Sequence, residues 1–261
     1  MYKIMGIINA NDDSFYKDSR FKDLDAIKKI QSMIEEGADI IDLGAVSSKP
    51  GSDEVSEVEE LERLHPIVDA IYSEKLYDKV SFSLDSYSPL CASYVLERGF
   101  KIINDIQGLQ NDELCKLIGE YEAQAIVMHM LGKPKDMQNN PTYDNLLEDI
   151  KSFFIQRIEK ANSFGIKDIV LDVGIGFGKT LEDNITLIKN ISYFNSLEKE
   201  ILIGASRKSM INNISASASE DRLAGTLAVH LKAYANGANI IRCHDVKEHV
   251  QAFKVHTALS H

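Results

Sequence analysis

Several polar side chains of this chain stand where apolar runs stop, a position from which they could act on a bound molecule. Asp85 follows Ser83-Leu84, Asn104 follows Ile102-Ile103, and Asp172 follows Val170-Leu171; together they offer acceptors to a heterocycle rich in N–H groups. Lys208, Arg242 and His244, with Asn9 beside them, form a cationic set suited to a phosphate or pyrophosphate. The most telling stretch is Val170-Leu171-Asp172-Val173-Gly174-Ile175-Gly176-Phe177-Gly178-Lys179. Its apolar run stops at an acid and then alternates glycines, leaving backbone of little bulk at the rim of a pocket.

Each of these residues also has a plainer reading. An Asp at a strand end commonly caps the next helix or its loop, and for Asp85 or Asp172 alone the two readings balance. Acceptors on separate strand ends together favour a pocket. Arg207-Lys208, taken alone, reads as solvated charge at a helix start. Arg242 and His244 do not, because charged residues are rarely buried without partners and their strand is otherwise apolar. Alternation puts both on one face and Cys243 on the other, under the helices. Gly174-Ile175-Gly176-Phe177-Gly178-Lys179-Thr180 imitates a nucleotide-binding loop, but its first required glycine would fall at Val173. His129 and His244 with the acids suggest a metal-dependent barrel hydrolase. The first strand ends Asn9-Ala10-Asn11 without paired histidines, so His129 is read as structural or as a support standing behind the site.

The elements that must position these groups follow from periodicity. Strands are predicted at residues 3–8, 39–43, 80–85, 102–105, 124–128, 168–172, 201–204 and 239–244. Helical spacing lies between them, as at Leu24, Ile27, Ile30 and Ile34, where Gly37 supplies the stop. Eight strands alternating with eight helices predict an α/β fold, a (β/α)₈ TIM barrel, as one domain over residues 1–261. A doubly wound open sheet is the alternative; polar ends on both the first and the last strand favour the closed ring. The net charge of −11 and the lack of a basic stripe exclude nucleic acid as a partner. A small anionic substrate stays open, since charges beyond about 8 Å are screened and local cations rule a pocket. No apolar run reaches membrane-spanning length, Met1-Tyr2-Lys3-Ile4 enters a strand directly, and Cys91, Cys115 and Cys243 lack C-x-x-C spacing. A cytoplasmic protein with reduced thiols and no membrane contact is expected.

In this order the motifs resemble the dihydropteroate synthase family of pterin-binding enzymes. Met5-Gly6-Ile7-Ile8-Asn9 with Asp13-Ser14-Phe15 is similar to the family's first loop. Ile40-Ile41-Asp42-Leu43-Gly44 with Ser47-Ser48-Lys49-Pro50-Gly51 is similar to the second. Ser83-Leu84-Asp85-Ser86-Tyr87, Ile103-Asn104-Asp105-Ile106, Met128-His129-Met130, Asp172 to Lys179, Ser206-Arg207-Lys208-Ser209 and Arg242-Cys243-His244-Asp245-Val246 complete the series. The resemblance implies that 6-hydroxymethyl-7,8-dihydropterin pyrophosphate condenses with 4-aminobenzoate, releasing pyrophosphate. It assigns Asp85, Asn104, Asp172 and Lys208 to the pterin, with Asp85, Lys208 and Arg242 as the catalytic set. Asn9, Arg242 and His244 take the pyrophosphate, with Mg²⁺ shared between Asn9 and the leaving group. Phe15, Ser48, Pro50 and Ser209 shape the aminobenzoate pocket, and the family implies a homodimer.

The chain departs from the family's pattern in its loops. The usual Asn-x-Thr-Pro-Asp-Ser-Phe reads Asn9-Ala10-Asn11-Asp12-Asp13-Ser14-Phe15, and Lys17 stands where an acid is usual. The usual Glu-Ser-Thr-Arg-Pro reads Val46-Ser47-Ser48-Lys49-Pro50, exchanging a forked guanidinium for a point charge. Val173 replaces a proline. Two competitors share the resemblance: a paralogue that binds a pterin without condensing it, and a methyltransferase using methyltetrahydrofolate. The Ser206-Arg207-Lys208-Ser209 and Arg242-Cys243-His244 motifs suit a pyrophosphate ester better than a methyl donor.

Overall fold

A computed structural model describes residues 2–10, 19–46, 55–132, 137 and 141–260. Its strands are β1 (Lys3–Asn9), β2 (Ile40–Gly44), β3 (Ser81–Asp85), β4 (Ile102–Asp105), β5 (Gln124–Met128), β6 (Ile169–Asp172), β7 (Glu200–Ile203) and β8 (Ile240–Cys243). They are parallel and neighbour one another in chain order, and β8 returns to pair with β1, so the sheet closes into the expected barrel. The surrounding helices are α1 (Ser19–Glu36), α2 (Glu57–Ser73), α3 (Pro89–Leu96), α4 (Asp112–Glu120), α5 (Leu146–Ser163), α6 (Leu181–Lys189), α7 (Ser209–Ile214), α8 (Leu223–Ala235) and α9 (Val246–Leu259).

The expectation of one helix per strand fails after β7, which is followed by both α7 and α8. The break falls at Ser215-Ala216-Ser217-Ala218-Ser219, where serines compete for the backbone hydrogen bonds a helix needs. Asn212 accepts the Ser217 N–H at 3.1 Å, and Arg222 donates to the Ser217 carbonyl at 3.0 Å. Local side-chain bonds therefore hold the chain out of the helix.

Strand alternation sorts the core into two shells. Met5, Ile40, Ile102, Ile126, Val170, Leu202 and Ile240 meet inside the barrel as a separate apolar plug. Their neighbours in sequence, such as Ile4, Ile41, Ile103, Val127, Leu171, Ile203 and Ile241, belong to the larger cluster under the helices. Cys243 packs in that outer cluster, as alternation required. Two residues further along, the inward face turns polar: Ile40 gives way to Asp42, Ile102 to Asn104, Val170 to Asp172 and Ile240 to Arg242. The apolar plug thus ends where the strands reach the C-terminal mouth, the end at which barrel sites are built. No helix among the described residues is long and apolar enough to cross a membrane.

Candidate active site

Arg242 is the hub of the mouth. Its Nε donates to Asp42 Oδ2 at 2.6 Å and its Nη2 donates to Asp85 Oδ2 at 2.6 Å. Asn104 Nδ2 donates to the same Asp42 oxygen at 3.1 Å. Asp42 is completely buried, and its other oxygen has no partner among the described residues, like the neighbouring Ser83 hydroxyl. One guanidinium fork thus ties β8 to β2 and β3 across the barrel. Burial pushes the Asp85 carboxyl up to about 7, with Arg242 pulling it back and Asp42 adding to the rise. Burial works against the charge on Arg242, but Asp42 and Asp85 outweigh it and hold the guanidinium firmly protonated. Gly44 ends β2 beside this group, where a Cβ would lie 3.3 Å from that of Asp85. A side chain there would crowd the acid.

Asp172 lies across the mouth, buried, with Oδ1 accepting the Gly174 N–H at 2.8 Å. Burial raises its pKa, opposed first by Lys208. Helix capping does not account for either acid, because Ser88 caps α3 and Thr180 caps α6; Asp172 does cap its own loop, through one oxygen. Lys208 does not lie out in solvent as a helix-start charge: its ammonium donates to the Ile175 carbonyl and sits 4.4 Å from the centre of the Phe177 ring. Burial lowers its pKa to about 8, against the pull of Asp172. Lys208 and Asp172 therefore face one space.

The glycine run builds the wall of that space. Gly174 and Gly178 have φ of 67° and 61°, and a Cβ on them would lie 2.0 Å from the His129 carbonyl and 2.4 Å from that of Leu131. The loop lies flat against the segment after β5, which only glycine permits. The N–H groups of Gly174 and Gly176 are taken by Asp172 and Asn184, and that of Phe177 by the Gly174 carbonyl, which spends the donors a phosphate cradle would use. Lys179, 3% exposed, turns back into the protein and donates to Phe177 O at 2.9 Å, with His129 Nδ1 at 3.1 Å. Burial lowers Lys179 to about 7 and His129 to about 3, and the bonds of Lys179 to the Phe177 and His129 carbonyls tie the glycine loop to the segment after β5.

The remaining expected residues divide. His244 stands at the end of β8, its Nδ1 2.9 Å from Ser206 Oγ, and burial lowers its pKa to about 4. Asn9 ends β1 exposed, and Ser209 opens α7 exposed. Phe15, Ser48, Lys49 and Pro50 lie outside the described residues. Asp85, Asn104, Asp172, Lys208 and Arg242 therefore share the mouth; the loop residues expected to close it are not among those described.

Known proteins share this sequence and this fold. The model of the pterin-binding enzymes matches residues 5–244. A bifunctional dihydropteroate synthase/dihydropteroate reductase of Helicobacter pylori is 41% identical over 98% of this chain and 68% of its own length. The dihydropteroate synthase of Escherichia coli is 39% identical over 97% of this chain and 89% of its own. The crystal structure of the Yersinia pestis dihydropteroate synthase with a sulfonamide complex superposes with a TM-score of 0.92, at 37% identity over 99% of this chain and 94% of that one. The chain belongs to the dihydropteroate synthases of the pterin-binding family. The Xanthomonas albilineans synthase with 4-aminobenzoic acid, at 31% identity, superposes with a TM-score of 0.91 over 99% of this chain and 93% of that one.

A dihydropteroate synthase is a transferase of folate biosynthesis, and that assignment displaces both competitors considered above. Sequence reasoning quoted Asp42 in a motif without giving it a place in the site, although a lone acid within Ile40-Ile41-Asp42-Leu43 is a visible signal of a buried partner. It likewise passed over Lys179 and Ser206, whose polarity is ordinary for loops. In this synthase both are buried and bonded to mouth residues.

Proposed function

We propose that the mouth seats 6-hydroxymethyl-7,8-dihydropterin pyrophosphate with its ring against Asp85, Asn104, Asp172 and Lys208. Its pyrophosphate then reaches Arg242, His244 and Asn9. The observation that carries this reading is a guanidinium paired to Asp42 and Asp85 at the mouth that also holds Asp172, so that Asp85 and Asp172 can take ring N–H groups beside a fixed cation. Phe15, Ser48, Pro50 and Ser209 would shape the adjoining 4-aminobenzoate pocket.

In the reaction, the bond from the pterin methylene carbon to the pyrophosphate oxygen breaks, and its electron pair leaves with the pyrophosphate. The lone pair of the aminobenzoate nitrogen forms the new C–N bond, and the amine sheds its extra proton to solvent. Positive charge growing on the pterin is stabilised by Asp85 and Asp172, and negative charge on the leaving group by Arg242, the preorganised arrangement that catalysis rewards most. Arg242 and Asp85 are already bonded, so charge leaving one end of the substrate meets charge arriving at the other through a single ion pair.

Mg²⁺ fits the donor set in a limited way. Among the described residues no cluster of three His, Cys, Asp or Glu could hold a metal, but Mg²⁺ commonly needs only one or two protein oxygens beside substrate phosphates. Asn9, exposed at the end of β1, offers such an amide oxygen. When bound, the ion would neutralise pyrophosphate charge. A cytoplasmic homodimer is the setting the family resemblance implies. A cavity of about 350 Å³ lined by Ile185, Ile188, Met210, Ile211 and Ile214 would give a second copy an apolar seat.

Purified protein given both substrates and Mg²⁺ is expected to release pyrophosphate and form dihydropteroate, and chelating the metal should stop it. Pterin binding without product above an Asp85→Ala control would overturn the synthase mechanism. The pH dependence follows from Asp85. Ring N–H donors need the carboxylate, and burial holds that group protonated up to about 7. Affinity for the pterin ester should therefore rise as pH climbs through about 7, with proton release on binding measurable by calorimetry in two buffers; a flat profile from pH 6 to 8 removes Asp85 from the seat.

A further inference from the structure

Behind the mouth lies a hydrogen-bond chain the proposed mechanism does not use. Ala205, in the loop after β7, donates its N–H to His230 Nε2 at 3.0 Å. His230 Nδ1 lies 2.8 Å from His249 Nε2, and His249 Nδ1 lies 2.6 Å from the carbonyl of Asp245, in the loop after β8. Both imidazoles are completely buried. The backbone N–H of Ala205 can only donate, so His230 Nε2 must accept and its proton must sit on Nδ1. That proton points at His249 Nε2, which in turn places the His249 proton on Nδ1, facing the Asp245 carbonyl. Every donor meets an acceptor, and both rings are neutral. Burial agrees, lowering both pKa values.

The chain belongs to a larger brace. Arg222, at the N-cap of α8, and Thr226 and His230 within the helix recur every four residues, and all three grip the loop after β7. Arg222 donates to the Arg207 carbonyl at 2.9 Å, and Thr226 Oγ1 accepts the Arg207 N–H at 3.0 Å. Arg207 itself has φ of 58°, a left-handed conformation that a non-glycine residue keeps only when its surroundings impose it. At the front, Arg207 reaches Asp245 through Nε at 3.1 Å, and Ser206 meets His244. The two loops are thus fastened at the mouth and again behind it.

We propose that His230 and His249 are positioning residues that tie the loop after β7 to the loop after β8 and so set the spacing of Lys208 and His244. The dyad touches no reacting atom. It works through the two segments on which the proposed pterin and pyrophosphate contacts stand, and the inference rests on that reading of Lys208 and His244.

Two measurements test it. Side-chain ¹⁵N NMR of the full chain should show both rings as Nδ1–H tautomers, and saturating inorganic pyrophosphate should move both signals. Calorimetry with pyrophosphate tests the seat separately: no binding fails the seat, whereas binding with unmoved histidine signals fails the dyad. In kinetics, His230→Gln keeps an acceptor for Ala205 and a donor for His249, and should hold the KM for the pterin ester within about twofold of the parent. His230→Leu removes both and should raise that KM about three- to tenfold, the size of one lost hydrogen bond, with a smaller change in kcat. Equal KM values for the two variants, with only the thermal midpoint lowered, would make the pair merely structural and overturn the proposal. Should His230→Leu fail to fold, the pyrophosphate-dependent NMR shift decides alone.

Discussion

Arg242→Leu is expected to cut turnover by a factor of about 10² to 10³ or more and to lower the thermal midpoint together with it. The two losses have different origins. Asp42 is wholly buried, and removing its cation leaves a charge with nowhere to go; breaking a buried pair by deleting one partner costs about 3–5 kcal/mol. Turnover falls because the fork that would meet the departing pyrophosphate is gone. A second variant separates them. Arg242→Leu combined with Asp42→Asn removes the orphaned charge, so the melt should recover most of its loss while turnover stays down. Recovery of both would show that Arg242 serves the fold alone. Arg242→Lys should keep much of the stability but not the rate, since a point charge cannot bridge Asp42 and Asp85 as a fork does.

Asp172→Asn should weaken the pterin ester by roughly ten- to a hundredfold, matching the 1.5–3 kcal/mol of hydrogen bonds to a charged group. The fold has reason to persist. Asp172 Oδ1 accepts the Gly174 N–H at 2.8 Å, and an asparagine oxygen can keep that bond and with it the path of the glycine loop. The change falls on the other atom, which becomes a donor facing the ring donors and the Lys208 ammonium. A pterin titration by fluorescence quenching, run beside a thermal melt, reads the result. Unchanged affinity would return Asp172 to a loop-capping role, and a collapsed melt would make it a structural acid.

Strand ends were the legible part of this protein. Apolar runs closed by Asp85, Asn104, Asp172 and Arg242 pointed to one mouth because a closed parallel ring leaves their ends nowhere else to go. Boundaries moved by a residue or two, as at β7, predicted at residues 201–204 and found at Glu200–Ile203. The break between α7 and α8 was not foreseen, because it depends on Arg222 and Asn212 holding Ser217 rather than on periodicity. Pairing was harder still. Nothing local to Arg242 says that it bonds Asp42 and Asp85, and nothing local to His230 says that it meets His249. Such contacts are made by closure, and closure is a property of the whole ring. The loop residues Phe15, Ser48 and Pro50 stay expectations, as they lie outside the described residues.

The Arg242 fork also joins parts of the chain that are made at very different times. Arg242 follows Asp42 by 200 positions and Asp85 by 157. At about 5–20 residues per second, Asp42 waits roughly 10 to 40 seconds for its cation to be synthesised. Through that interval a ring shut early around β2 and β3 would have to strip water from two acids with no counter-charge, which the nascent chain resists. Once β8 emerges, the same acids draw it in. The ion pair at the mouth of the finished enzyme therefore bears on assembly as well: burying Asp42 and Asp85 costs least once β8 has brought their cation.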